Sequence, residues 1–400
     1  MRKALPLFLV VAGPLVMAPA YADDTSGVEF SGSGFLTVGV GHMLGGTRAN
    51  VADRDCPCFI ADYAQAGVYD GRGGLQWKPD TKLGLQGSAY FANRRLSITS
   101  QVVSRGARDG KVNLEWLYAG YKLTDNVTIQ VGRKRLPMFY YSDTQDIGFA
   151  LPWAHLPPQL YGWDAVNYNG VNVAVQHSLN DWSATLNVLA GSETFKDSGY
   201  WKIYLGRQSK TDVKWKNIFG ADLTLSKDWL ETRLVFIQSD TQTKIVDKGT
   251  WDPTVGAYDG VLDTEFFPDP PFKQRIHGLA INVDRDNWLL RGEWIRIDRP
   301  GQSFRDYATI VGAGYRWGKW QPFVTYSRYW GQAVEDRFGN PPDSSALEGH
   351  DTLALTLRYD LTTSSALKLQ YDHQTDRSGP NWSPNYGDSR LLTATYDMVF

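Results

Sequence analysis

The sequence predicts an all-β protein, a transmembrane antiparallel β-barrel of sixteen strands. Three observations lead there. First, the final stretch, 389–400, alternates Leu392, Ala394, Tyr396, Met398 and Phe400 with Thr393, Thr395, Asp397 and Val399, the period-2 mark of a strand with one oily and one mostly polar face. Chain ends generally fray unless something ties them down. A strand running to a terminal aromatic is therefore expected to close a barrel against the first strand, not to end a soluble sandwich. Second, aromatic residues make up 13% of the chain, with 15 Trp and 21 Tyr, yet hydrophobic residues reach only 42%. Beyond the N-terminus no apolar run approaches the ~18 residues of a spanning helix. Third, strand candidates are joined alternately by very short turns and by polar loops, most of them long, the asymmetry of an outer-membrane barrel.

At the N-terminus, Arg2 and Lys3 precede an apolar run from Ala4 to Met17 and the small-x-small Ala20-Tyr21-Ala22. This reads as a secretory signal, residues 1–22, removed after Ala22, with a single barrel domain over 23–400. Cleavage leaves 39 basic against 43 acidic residues, a net of −4, with no basic excess to recruit nucleic acid. Cys56 and Cys58 flank Pro57 in a polar stretch and make no disulfide framework. A bridge at that spacing is expected to be strained, and a metal site would need further ligands. The pair reads as a loop feature, and no cofactor or metal is expected.

The first strand is expected at 29–42, with Leu36, Val38 and Val40 on one face. The second ends at 82–91; residues 67–91 read as one long strand kinked at Pro79, which keeps the strand number even. The next are 95–105, 111–124, 127–135, 168–179, 182–191, 216–226, 229–240, 274–285, 287–298, 305–317, 320–330, 350–361, 365–376 and 389–400. The short turns fall at Asn93-Arg94, Asp125-Asn126, Asn180-Asp181, Lys227-Asp228, Asp286, Gly318-Lys319 and Thr362-Thr363. Most carry the Asn, Asp or Gly that tolerate φ > 0 in tight hairpins. The loops at the other end are 43–66, 106–110, 136–167, 192–215, 241–273, 299–304, 331–349 and 377–388. An even strand number places both termini on the short-turn side. Trp182, Trp229, Trp288, Trp317, Trp320 and Tyr359 lie beside short turns, where a periplasmic aromatic girdle belongs.

Alternation also sorts the faces. With Leu353, Leu355, Leu357, Leu367 and Leu369 toward lipid, Arg358, Asp360, Lys368 and Asp372 point into the lumen; with Leu223 and Leu225 outward, Asp222 and Thr224 point in. A basic residue on the lipid face at mid-bilayer costs ~2–4 kcal/mol, so the charges take the inside. A barrel this wide with a charged interior is expected to hold water and pass solutes.

The fifth strand ends Gly132-Arg133-Lys134-Arg135, followed by Leu136 to Asn167, which has no alternation but carries Asp143, Asp146, Pro152, Trp153, His155, Pro157, Pro158, Tyr161, Trp163 and Asp164. In strand number, loop order and terminal Phe the chain resembles the bacterial porin superfamily, the trimeric sixteen-stranded diffusion porins. The run Gly132-Arg-Lys-Arg-Leu-Pro with Ser142-Asp143-Thr-Gln-Asp146-Ile-Gly148 looks like a porin-like group within it. The resemblance implies a third loop folded into the pore, a homotrimer, and outer-membrane lipid and lipopolysaccharide as surroundings. The constriction is then expected from Arg133, Lys134 and Arg135 on the wall and Asp143 and Asp146 on the loop, a facing arrangement that would select by charge. The bland reading of Arg133 and Arg135, as loop-holding partners, stands beside it. His155, on the same loop, is counted with the constriction residues, and reads there as a packed or hydrogen-bonded loop histidine and not a switch. The loop 106–110 is too short to reach over a neighbouring subunit, as the second loop does in better-known porins.

The expected function is passive diffusion of small hydrophilic solutes or ions across the outer membrane of a Gram-negative bacterium. A channel selective for an anion, a sugar or a small organic acid is the alternative. An enzyme is not expected, since His42, His155, His177, His277, His350 and His373 offer no Ser/His/Asp spacing or metal cluster.

Overall fold

A computed structural model describes residues 27–247, 250–252, 257–259, 265–336 and 338–400; the signal segment expected at 1–22 lies outside them. Sixteen strands close one antiparallel barrel. They are β1 (Glu29–Gly46), β2 (Lys82–Phe91), β3 (Leu96–Arg105), β4 (Val112–Lys122), β5 (Val127–Arg135), β6 (Asn167–Leu179), β7 (Trp182–Phe195), β8 (Lys210–Lys227), β9 (Leu230–Asp247), β10 (Phe267–Arg285), β11 (Trp288–Asp298), β12 (Phe304–Tyr315), β13 (Trp320–Ala333), β14 (Gly349–Asp360), β15 (Ser365–Asp376) and β16 (Ser389–Val399). Each strand pairs with its sequence neighbours, and β16 pairs with β1 in the register Val38↔Tyr396. The terminal residue takes part in this seam: Gly34 N donates to Phe400 O at 2.7 Å and Phe400 N to Gly34 O at 2.9 Å.

Turn chemistry decides one end of the barrel. Asn93, Asn180, Asp228 and Asp286 all have positive φ, the conformation tight hairpins require and Asn and Asp tolerate. Alternation decides the two faces. Leu83, Leu85, Leu279, Ile281, Leu290, Val311, Leu353, Leu355, Leu367 and Leu369 are exposed, while Thr352, Thr356, Lys368, Gln370 and Asp372 between such residues are buried inward. At the short-turn end, Trp182, Trp229, Trp288, Trp317 and Trp320 are exposed on the outside. Trp288 meets Tyr315 with ring centroids 5.0 Å apart, and Trp320 meets Tyr359 at 4.5 Å. These rings lie where a headgroup-level girdle would sit.

Three expectations are corrected. Residues 67–91 are not one kinked strand: Gly67–Tyr69 pairs with Phe59–Asp62 in a small ladder of the first loop, and the barrel strand begins at Lys82. The chain turns at 78–81 because the Tyr69 hydroxyl donates to Asp80 at 2.7 Å and the pair tucks against the inner face of β1. Gly39 and Gly41 make that approach possible, since a Cβ at either would collide with Asp80 or Tyr69. Cys56 and Cys58 are bonded to each other, with Cα atoms 4.5 Å apart, a separation disulfides span. Both are buried in an apolar cluster with Val51, Ile60, Tyr63, Ile203 and Tyr386, which joins loops around the mouth. Lastly, β8, β9 and β10 run well past the expected 216–226, 229–240 and 274–285 at their loop ends.

Candidate functional site: the infolded third loop and the wall it leaves open

The third loop, 136–166, lies inside the barrel and is fastened around most of its circumference. Its first residues are apolar and pack on inward-facing side chains of β7 to β13: Leu136, Met138 and Phe139 join Leu189, Trp215, Ile237, Ile276, Leu289, Ile295 and Ile310 in one buried cluster. Polar anchors fix the backbone over that cluster. Arg233 donates to the carbonyls of Phe139 and Tyr140 at 3.2 and 3.3 Å. Tyr140 N and the Tyr161 hydroxyl donate to the Glu293 carboxylate at 2.8 and 2.5 Å.

The loop then crosses to the opposite wall. Arg105 reaches Asp146 at 2.7 Å and Glu115 at 2.6 Å. Arg135 reaches Asp146 at 2.6 Å and Glu115 at 3.1 Å. All four side chains are nearly without solvent exposure, so the two guanidiniums and two carboxylates neutralise one another in a dry site. Burial alone would raise the Asp146 carboxyl, but Arg105 and Arg135 hold it well below the usual carboxylate range.

Next comes the seam. Lys368 Nζ donates to the carbonyls of Gly148 and Trp153 at 2.6 and 2.7 Å and pairs with Asp397 at 3.1 Å. Arg358 donates to the carbonyls of Phe149 and Leu151 at 2.7 and 3.0 Å. A Cβ at Gly148 would collide with Asp397 and Thr37, so only glycine lets the loop lie this close. Trp153 Nε1 donates to Thr325 at 2.7 Å, and Gln159 bridges Thr352 and Ser327 at 2.6 Å each. His155 sits between Asp80 of the first loop at 3.1 Å and Asp372 of β15 at 3.3 Å. Burial opposes a charge on this ring, but the two carboxylates outweigh it and lift His155 to about 10.

These anchors seal the inner face from β10 round to β1. On the arc from β2 to β7, Gln86, Tyr118, Gln130, Lys134 and Asn187 point inward and keep partial exposure. Neighbouring side chains there form a ladder across adjacent strands: Lys134 to Gln130, Asn172 to Gln130 at 3.2 Å and to Asn187 at 3.4 Å, Asn187 to Asp222 at 3.2 Å, and Arg233 to Asp222 at 2.9 Å. Lys134 also lies 5.3 Å from the centre of the Tyr118 ring. Across from this ladder is Asp143, half-buried on the loop and within electrostatic reach of Lys134, Asp222 and Arg233. Among the described residues Asp143 makes no ion pair. The arrangement is a half-exposed stretch of inner wall with amides along it, one cation without an ion-pair partner among the described residues, and an unpaired loop carboxylate within electrostatic reach of that cation. Among the described residues, no group of three or more His, Cys, Asp or Glu is placed to hold a metal ion.

Neither a protein-family model nor a curated protein sequence matches the chain. Solved structures do. The outer membrane channel DcaP of Acinetobacter baumannii is 11% identical with a TM-score of 0.58, covering 95% of this chain and 99% of that one. The anion-selective porin from Comamonas acidovorans is 13% identical with a TM-score of 0.54, covering 93% and 100%. The in-vitro folded trimer form of OmpT, an outer membrane protein of Vibrio cholerae, is 9% identical with a TM-score of 0.52, covering 93% and 99%. This is the sixteen-stranded porin fold.

Within that porin fold the residues singled out from sequence part company. Arg135 and Asp146 come together, but as a buried clamp with Arg105 and Glu115. Arg133 is elsewhere: it pairs with Glu193 of β7 and donates to the Leu114 carbonyl at 2.8 Å. Lys134 and Asp143 keep access to the opening. His155 is buried among loop and wall partners. Asp222, Lys368 and Asp372 point inward but are nearly inaccessible, while Asp360 at the short-turn end is half-exposed and pairs with Arg358 at 2.8 Å. A charged interior is thus not the same as a wet one, because half of these charges fasten the loop. Arg105, Glu115, Asp80 and Gln159 were not anticipated. Their signal was available for two of them: Arg105 and Glu115 are charges at inward positions of strands whose other face is apolar.

Proposed function

We propose that this protein is an outer-membrane channel for passive diffusion of small hydrophilic solutes or ions. The observation that carries the reading is the set of half-exposed, inward polar side chains Gln86, Tyr118, Gln130, Lys134 and Asn187 on β2 to β7, beside the Arg105–Arg135–Asp146 clamp that fastens the loop to the same arc. Solutes pass between this arc and the Asp143 edge of the third loop, where the low-dielectric surroundings strengthen the action of Lys134 and Asp143 on a passing charge. Export through removal of residues 1–22 to the outer membrane of a Gram-negative bacterium belongs to the same reading. So does a homotrimer, for which the trimer form of the Vibrio protein is the support. Its contacts would come from barrel walls, since the second loop, 106–111, is short.

A substrate-selective channel is the second reading, favoured by the amide ladder, which donates and accepts hydrogen bonds without net charge. Planar-bilayer recording on the purified protein separates the two. Linear conductance that sugars, phosphate and small organic acids leave unblocked supports general diffusion. Block at sub-millimolar solute supports selectivity. A protein that inserts but never conducts refutes both.

A further inference from the structure

We propose that the inner wall of β2 to β5 carries a binding site for a neutral saccharide, stacked on Tyr118 and Trp116 and held by the amides of Gln86 and Gln130. The inference rests on the channel reading above and names the solute class that its selective form would take.

The two rings reach the lumen through a bulge. Along β4 the exposed outward residues Leu114 and Leu117 stand three positions apart instead of two. The register slips between them: Gln101 of β3 faces Trp116, while Val102 faces Leu114. A bulge of this kind re-aims a side chain. Glu115 thereby enters the buried clamp, and Trp116 joins Tyr118 on the inner wall with ring centroids 6.4 Å apart. Both rings keep partial exposure. Opposite Tyr118 in register is Gly132, which itself faces Gly170. Gly132 has a φ of 137°, and a Cβ there would meet the Leu117 carbonyl and the Tyr118 backbone. The Tyr118 ring therefore borders a strip of half-exposed backbone on which no side chain stands.

Amides flank the rings. Gln86, Gln101 and Trp116 lie side by side on β2, β3 and β4. Gln101 donates to the Gln86 side-chain oxygen at 3.1 Å. On the other flank the Gln130 side-chain oxygen accepts from Lys134 and, at 3.2 Å, from Asn172. Each glutamine is thus fixed through its oxygen. Among the described residues neither NH2 group has a hydrogen-bond partner, and both glutamines remain half-exposed. Two oriented donor groups are left to the lumen, one on each side of the rings. They are three strands apart, about 14 Å of wall at ~4.8 Å per strand, so a solute of more than one sugar ring reaches both.

The local charges argue against an ion. The clamp of Arg105, Arg135, Glu115 and Asp146 is neutral, and so is the pair of Asp222 and Arg233. Lys134 is offset by Asp143, the loop carboxylate within its electrostatic reach. An anion drawn to Lys134 is repelled by Asp143, and a cation meets the reverse. An uncharged solute with an apolar ring face and a rim of hydroxyls takes what this wall offers: aromatic surface for its C–H face and fixed amide donors for its oxygens.

The test records single channels of the intact protein in planar bilayers. Neutral gluco-oligosaccharides of one to four rings are added, with polyethylene glycol of matching size, gluconate and glucosamine as comparisons. The expected result is saturable block by the sugars of two rings or more, about tenfold tighter than block by the polymer. Tyr118→Ala should weaken that block about tenfold, whereas Tyr118→Phe, which keeps the ring, should retain it. Gln86→Leu should weaken it about fivefold. The proposal is overturned by a conducting channel that no sugar blocks, by block no tighter than the polymer's, by tighter block from gluconate or glucosamine, or by undiminished block in Tyr118→Ala. A channel that conducts but ignores the sugars strikes this inference alone and leaves general diffusion standing. A protein that never conducts strikes the channel reading and this inference together.

Discussion

Asp146 lies 2.6 Å from Arg135, and the two are eleven positions apart in the chain. That pair ties the third loop back to the strand it has just left. Asp143, three residues earlier, faces the opening, so two acids that look alike in the sequence are assigned opposite tasks.

Asp143→Asn should therefore move ion preference toward anions without loosening the loop. Reversal potentials in a chloride gradient measure this, and an unchanged potential would place Asp143 off the conduction path. Lys134→Gln should move the potential the other way.

Asp146→Asn acts on the clamp. Removing one partner of a buried charge network costs about 3–5 kcal/mol because the remaining charges stay desolvated. Arg105 and Arg135 would share only Glu115. The expected outcome is a lower unfolding temperature and noisier open-channel current, with little shift in reversal potential.

Trp153 is buried against Phe323, ring centroids 5.6 Å apart, and donates to Thr325. Trp153→Ala should cost about 3–5 kcal/mol through the cavity it leaves. Gly148→Ala, at a position where a Cβ meets Asp397, should lift the loop from the seam. Both should alter conductance, whereas a substitution on the exposed Val311 should not.

His155 supplies a pH dependence with a definite sign. Its value in the folded protein, about 10, exceeds the ordinary 6.5, so its contribution is fully present below about pH 6.5 and is lost as pH rises through 10. Channels recorded from pH 6 to 8 should show no transition from this residue. Unfolding temperature should fall as pH rises from about 6.5 to about 10 and level off above it, and His155→Gln should flatten that fall.

Strand number, the closing role of Phe400, the sorting of turns and loops, and the inward face of Lys368 and Asp372 were all legible in the chain, because period-2 alternation and turn residues are local properties. The first loop was less so. Pro79 suggested a kink, but the turn depends on Tyr69 meeting Asp80 over Gly39 and Gly41, and no local pattern shows that meeting. The third loop could be marked as special by its missing alternation. Which of its acids would be buried could not be read.

The sequence by itself determined a closed barrel with an apolar skin and a polar inner face, since each residue's side of a strand follows from its parity alone. Tertiary structure decided which part of that inner face meets water. Asp146, His155 and the carbonyls of Gly148 and Trp153 find partners on strands far away in the chain, and those pairings exist only once the wall has closed around the loop.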